Sequence, residues 1–144
     1  MGLILDSSVL IAAERQQFDL ARFFAENADE PFFLASITVS ELLHGVERAP
    51  AGHRRNQRAR FVEAILAEVE VIDFDGAVAR RHAAAWAALE RAGRMIGAHD
   101  LLIAATALYH DCALVTLNTA EFRQVNGLAL APTSGYCRST GDQS

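Results

Sequence analysis

Lysine is absent from this chain of 144 residues, and all thirteen of its basic residues are arginine. Eighteen acidic residues outweigh them, giving a formal charge of -5. That balance argues against a protein that grips nucleic acid over its whole surface, because each neutralised phosphate needs a cationic contact. Long apolar runs are missing as well. No stretch approaches the ~18 uninterrupted apolar residues that a membrane span requires. The apolar opening Gly2-Leu3-Ile4-Leu5 meets Asp6 too early for a signal peptide. A cytoplasmic protein without membrane contact is expected. Cysteine is scarce: Cys112 and Cys137 lack the close spacing of a zinc knuckle or a redox pair, so reduced thiols are the expectation.

What is present suits a globular domain. The apolar fraction is 51% against 22% charged residues, near the globular average and far from the charge-rich composition of disordered chains. The length fits one domain at the usual ~150 residues per domain. That domain is expected over residues 1–132, because the stretch 133–144 is polar and rich in Ser, Thr and Gly, as flexible tails are. The arginines are unevenly spread. Arg48, Arg54, Arg55, Arg58 and Arg60 share a stretch that contains no acid, a local patch able to hold phosphates or simply a solvated helix face.

Five short apolar-rich runs predict strands: Leu3 to Leu5, Phe32 to Ala35, Val69 to Phe74, Ala113 to Leu117 and Leu128 to Ala131. Most are continuously apolar, as strands covered on both faces are. Val69 to Phe74 is interrupted by Glu70 and Asp73 and suits an edge. Phe18 to Ala28, Thr38 to Glu47, Arg54 to Glu68 and Ala77 to Arg91 repeat apolar residues at helical spacing. Asp100 to Tyr109 is apolar nearly all round after its first residue, which predicts a deeply buried helix. Strands alternating with helices imply an α/β fold with a mainly parallel central sheet and helices on both faces, since parallel neighbours need crossover connections.

Several carboxylates stand where this arrangement places binding sites. Asp6 directly follows the first strand, and open α/β sheets bind ligands at that edge; a helix N-cap is the plainer role for it. Glu41 follows the second strand, where a Thr38 cap would make it the third-position acid of a capping box. Asp100 opens the most apolar helix, where an unpaired carboxylate is costly and calls for a partner. Asn118 follows the fourth strand, with Glu121 three residues later. Each alone reads as a cap or a turn former. Together, at strand exits that the sheet edge gathers, they read better as a site for a hard cation. Oxygen donors suit Mg2+, with Mn2+ as the alternative, whereas zinc would favour His and Cys.

The same segments carry a resemblance. Ile4-Leu5-Asp6-Ser7-Ser8-Val9-Leu10-Ile11, Thr38-Val39-Ser40-Glu41-Leu42, Ile96-Gly97-Ala98-His99-Asp100-Leu101-Leu102-Ile103-Ala104-Ala105 and Val115-Thr116-Leu117-Asn118-Thr119-Ala120-Glu121-Phe122 occur in the order found in PIN domains. From Ile4 to about Leu130 the chain resembles that family, specifically the VapC-like toxins of toxin–antitoxin pairs. The resemblance implies a PIN-like three-layer sandwich and an Mg-dependent endoribonuclease that leaves a 5′-phosphate. It also implies a cognate antitoxin that covers the cleft, and a homodimer. Asp6, Glu41 and Asp100 match the family's metal-site acids. Asn118 stands where many relatives place an acid, which leaves the role of Glu121 open. Ser8 and Thr116 are candidates to hold the carboxylates through second hydrogen bonds. Arg54, Arg55, Arg58 and Arg60 are candidate RNA contacts. Among the five histidines only His99, beside Asp100, is placed to matter, and Trp86 suits the core or a dimer contact.

Other classes fit less well. A phosphoaspartyl enzyme of the haloacid dehalogenase type needs a second Asp where Ser8 stands, and a receiver domain needs a late lysine. The remaining rival is a non-catalytic PIN-like module that binds RNA or a protein partner, a reading that Asn118 favours and the three acids oppose.

Overall fold

The computed structural model describes residues 1–138; residues 139–144, the remainder of the expected tail, lie outside the described residues. The chain runs β1 (Leu3–Leu5), α1 (Ser7–Glu14), α2 (Leu20–Glu26), β2 (Phe32–Ala35), α3 (Ser36–Arg48), α4 (His53–Glu68), β3 (Glu70–Ile72), α5 (Gly76–Ala92), α6 (Ala98–His110), β4 (Ala113–Val115) and α7 (Thr119–Phe122). The four strands form one parallel sheet in the order β3-β2-β1-β4. Leu3 stands opposite Phe32 on one side and Ala113 on the other. The α/β expectation holds, with helices on both faces.

β1 shows why the strands are apolar throughout. Leu3 and Leu5 point into a core shared with Val9, Leu10, Phe23 and Val62, while Ile4 between them points into the opposite core with Ile103, Ala104 and Phe122. Strand side chains alternate between faces, so a strand covered on both sides has no position left for a polar residue. Burying each Leu or Ile contributes roughly 1.5–3 kcal/mol, which makes this three-residue strand an anchor out of proportion to its length. α6 is buried from Leu101 through Ala107 save Leu102, and its alanines let its backbone lie close to the sheet.

Topology then fixes where a ligand belongs. The chain moves outward from β1 through β2 to β3, then returns to add β4 on the other side of β1. The order therefore reverses between β1 and β4, and the crevice outside the carboxyl ends of strands at such a reversal is the binding position of open α/β sheets. Asp6 leaves β1 and Thr116 leaves β4 at that point, and the Asp6 N–H donates to the Val115 carbonyl at 2.9 Å.

Several boundaries move. Leu128 to Ala131 does not form a strand: Leu130 makes a single parallel bridge to Leu114, and at the next step it is the Thr133 hydroxyl that reaches the Thr116 carbonyl, at 3.5 Å. Val69 to Phe74 shrinks to Glu70–Ile72, at the edge of the sheet. Ala113 to Leu117 stops at Val115, because Thr116 turns its hydroxyl toward Asp6. The expected tail is corrected in its first half. Thr133 is buried, Tyr136 packs edge-on against Phe23 with ring centroids 5.0 Å apart, and Arg138 pairs with Asp19 at 2.9 Å. Composition hid this, since one aromatic ring in a polar stretch is enough to dock it.

Candidate active site

Four places in the chain each bring one carboxylate to the β1–β4 crevice: Asp6 at the exit of β1, Glu41 on α3, Asp100 on α6 and Glu121 on α7. Asp6 occupies the N-cap position of α1, but its side chain makes no cap bond. Its carboxylate is only 3% exposed. Instead, Oδ2 accepts from the Ser8 hydroxyl at 2.8 Å and from the Thr116 hydroxyl at 2.7 Å. Each hydroxyl itself accepts a backbone N–H: Leu117 donates to Ser8 at 3.1 Å, and Asn118 to Thr116 at 3.0 Å. A hydroxyl has a single proton to give, so these backbone donors leave both protons aimed at Asp6. The carboxylate is thereby held in one orientation from two strands' exits.

Glu41 lies in the second turn of α3, because that helix starts at Ser36 rather than after a Thr38 cap. The capping-box alternative therefore fails. Glu41 Oε1 and the Thr38 hydroxyl one turn earlier are both buried without a hydrogen-bond partner among the described residues. Orphaned buried oxygens are uncommon and costly. Burial, then the nearby charge of Asp6, pushes the Glu41 carboxyl up, with His99 opposing; His99 Nδ1 stands 3.6 Å from Glu41 Oε2.

Asp100 sits in the first turn of α6, after a Gly97 cap that lends no side chain. Its carboxyl is pushed up to about 7, by burial first, then by Glu121, and further by Asp6 and Glu41. Glu121 on α7 moves the other way. Its carboxyl is lowered, chiefly by the Gly97 N–H that donates to Oε1 at 2.7 Å, then by Asp100. Of this pair Asp100 is the more readily protonated. Asn118 donates its side-chain amide to Glu121 Oε2, so it does not replace an acid; it tethers one. A Cβ on Gly97 would stand 3.4 Å from Asp100 Oδ2 and 3.6 Å from Glu121 Oε1. The glycine therefore leaves both carboxylates uncovered.

The donor set is all oxygen and carries surplus negative charge, the ligand chemistry that hard divalent cations prefer. The carboxylates feel one another, yet among the described residues no three His, Cys, Asp or Glu side chains stand close enough together to hold a metal ion.

The arginine patch is divided. Arg58 pairs with Glu14 at 3.1 Å and donates to the Gly45 carbonyl at 3.2 Å, and Arg55 pairs with Glu47 at 3.2 Å. Arg54 and Arg60 are exposed. The role of Arg58 in closing α4 onto α1 and α3 was not visible in the sequence, since its partners are 44 and 13 residues away. Nor was the Gly97 amide, a backbone donor that leaves no compositional signal. Trp86 is not core but 47% exposed on α5.

A family model described as PIN domain matches residues 3–128. The chain is 31% identical to ribonuclease VapC1 of Rickettsia felis over 134 residues, covering 93% of this chain and 98% of that one. Among solved structures it is similar to VapBC2 from Rickettsia felis bound to a DNA fragment from their promoter, with a TM-score of 0.80, 27% identity and coverage of 91% and 98%. It is also similar to VapBC-5 from Mycobacterium tuberculosis, a member of the VapBC family of toxin-antitoxin systems, with a TM-score of 0.71, 30% identity and coverage of 90% and 94%.

Proposed function

The chain belongs to the PIN-domain family, and from that premise we propose that it is a metal-dependent endoribonuclease, the toxin of a toxin–antitoxin pair restrained by a cognate antitoxin in the cytoplasm. The observation that carries the reading is the electrostatic state of the crevice. Asp100 pushed up to about 7 beside three further acids, with Glu41 Oε1 buried and unpaired, is an arrangement that protein stability alone would not favour.

Asp6 and Asp100 are the direct ligands in this reading, and Glu41 is a direct or water-mediated one. Bound among them, Mg2+ or Mn2+ would supply charge neutralisation for the phosphoryl oxygens and acidify a water for in-line attack on the phosphodiester. Ser8 and Thr116 fix the direction of Asp6. Glu41 Oε1, free of other partners, accepts a proton of the attacking water and orients it. Glu121, held by Asn118 and the Gly97 amide, takes the fourth acidic place and receives the hydrogen bond of protonated Asp100 until that proton leaves. The tether from Asn118 to Glu121 weighs against the non-catalytic alternative, since the position thought to lack an acid borrows one from the next helix turn.

The test is cleavage of a panel of RNAs by purified protein with magnesium, with chelator, and by Asp6→Asn with magnesium. Cleavage in the first arm alone is expected. Equal cleavage in all three would identify a contaminant and end the nuclease proposal. A homodimer and a co-purifying antitoxin belong to the same reading, and light scattering on the eluted protein reports both.

A further inference from the structure

A groove of about 120 Å³ runs between α5 and the segment that follows α7. Ala84, Ala85 and Ala88 line it from one face of α5, because residues three and four apart share a face, with the buried Leu89 and Val125 beneath. Arg81 and Arg94 line it together with the carboxamide residues Gln124 and Asn126. Neither arginine is paired with a carboxylate among the described residues, in contrast to Arg55 and Arg58 on α4. The groove is joined to the acidic crevice along the chain at two points. Arg94 precedes Gly97 by three residues, a reach of at most ~11 Å of chain, and Gln124 donates its N–H to the Glu121 carbonyl at 3.2 Å. Thus the two residues that hold each other at the crevice, Gly97 and Glu121, continue directly into the two sides of the groove.

Chemistry selects the occupant. Four acids at the crevice repel a polyanion, and a chain of net charge -5 offers little general attraction, so an RNA strand needs local cations close to the cut. Two guanidiniums without a carboxylate partner among the described residues, set beside carboxamides, match a phosphate and its sugar. Resting on the nuclease reading above, we infer that this groove is a phosphate-binding subsite for substrate RNA, in which Arg94 holds the strand on the crevice side and Arg81, about 16 Å back from the end of α5, holds a phosphate farther along it. The subsite lies on α5 and the α5–α6 turn rather than on the α4 arginine stretch.

Binding of a fluorescein-labelled single-stranded RNA of mixed sequence, followed by anisotropy in the full chain carrying Asp6→Asn, separates the possibilities. Each phosphate contact to a single strand contributes about 0.7 to the slope of log affinity against log salt. Arg81→Gln with Arg94→Gln is expected to lower that slope by about 1.4 and to weaken binding at low salt, while Arg81→Lys with Arg94→Lys restores the slope. Arg54→Gln with Arg60→Gln is expected to leave it unchanged. In the otherwise wild-type chain, the Arg81/Arg94 glutamine pair raises KM for RNA cleavage with kcat retained. An unchanged slope in a protein that still cleaves RNA overturns the groove alone, as does an equal fall in the α4 pair. Loss of both binding and cleavage in the parent overturns the groove and the nuclease reading together.

Discussion

Asp19 and Asp100 each stand at the start of a helix, the first as the N-cap of α2 and the second in the first turn of α6. A helix N-terminus favours a carboxylate in both places. Their carboxyls nevertheless move in opposite directions. Asp19 is held below the ordinary range, first by the hydrogen bond from Arg138, then by the Arg22 backbone N–H. Asp100 is pushed up to about 7 by burial and by Glu121, Asp6 and Glu41. Company, not helix position, makes the difference. Around Asp19 the chain supplies two guanidiniums and an aromatic cluster of Phe18, Phe23 and Tyr136. Around Asp100 it supplies acids and one histidine, and leaves a buried oxygen unpaired. One end of the molecule pairs its acid with cations; the other sets acids beside one another.

The contrast can be broken most severely at the crevice. Asp6→Asn keeps the shape of the side chain and is expected to lower RNA cleavage at least ~10²-fold, the scale of removing one preorganised electrostatic contact, with little change in Tm. At the aromatic end the reverse should hold. Tyr136→Ala is expected to cost about 2 kcal/mol of stability, for a partly buried ring, or on the order of 6–8 °C in Tm for a domain of this size. Cleavage per folded molecule stays as in the wild type. A variant that lost activity without losing stability would show that the aromatic end also shapes the site.

The two aspartates also predict opposite pH responses in chelator. Asp100 has a folded pKa raised from 3.8 to about 7, so its contribution favours folding below about 4 and is lost as pH rises toward and through 7. Thermal melts should therefore show Tm falling between pH 5 and pH 8 in chelator and levelling when magnesium is present. Asp100→Asn is expected to flatten the chelator profile and raise Tm at pH 8 by about 2–4 °C, if solvent screening leaves about 1 kcal/mol of repulsion to remove. No pH dependence in the parent would mean that the crevice carboxylates do not repel one another. Asp19 has a lowered pKa, so its contribution is present above the ordinary 3.8 and is lost as pH falls through the folded value. Arg138→Gln is expected to have the smallest effect, a slight loss of stability that fades below about pH 4 and leaves cleavage untouched.

Much of the crevice was legible because its residues sit at strand exits. Strand exits are announced by short apolar runs, and those at β1, β2 and β4 were found with errors of no more than two residues at either end. The Leu128 to Ala131 run misled because apolar composition does not reveal whether a ladder partner exists. The capping alternatives for Asp6 and Glu41 stood open for the same reason. A cap is a matter of which oxygen meets which N–H, and the chain shows only that both are present.

The sequence by itself determined that an α/β sheet would form and that acids would stand at its ligand-binding edge, because side-chain alternation, helical spacing and the placement of polar residues after apolar runs are properties of consecutive residues. Only the tertiary structure decided that Glu121 is tethered beside Asp100 by Asn118 and Gly97, that Arg58 is committed to Glu14, and that Arg81 and Arg94 share a groove. Those outcomes depend on which distant groups become neighbours in a low-dielectric setting, where a partner of either sign reverses the charge state of the same side chain.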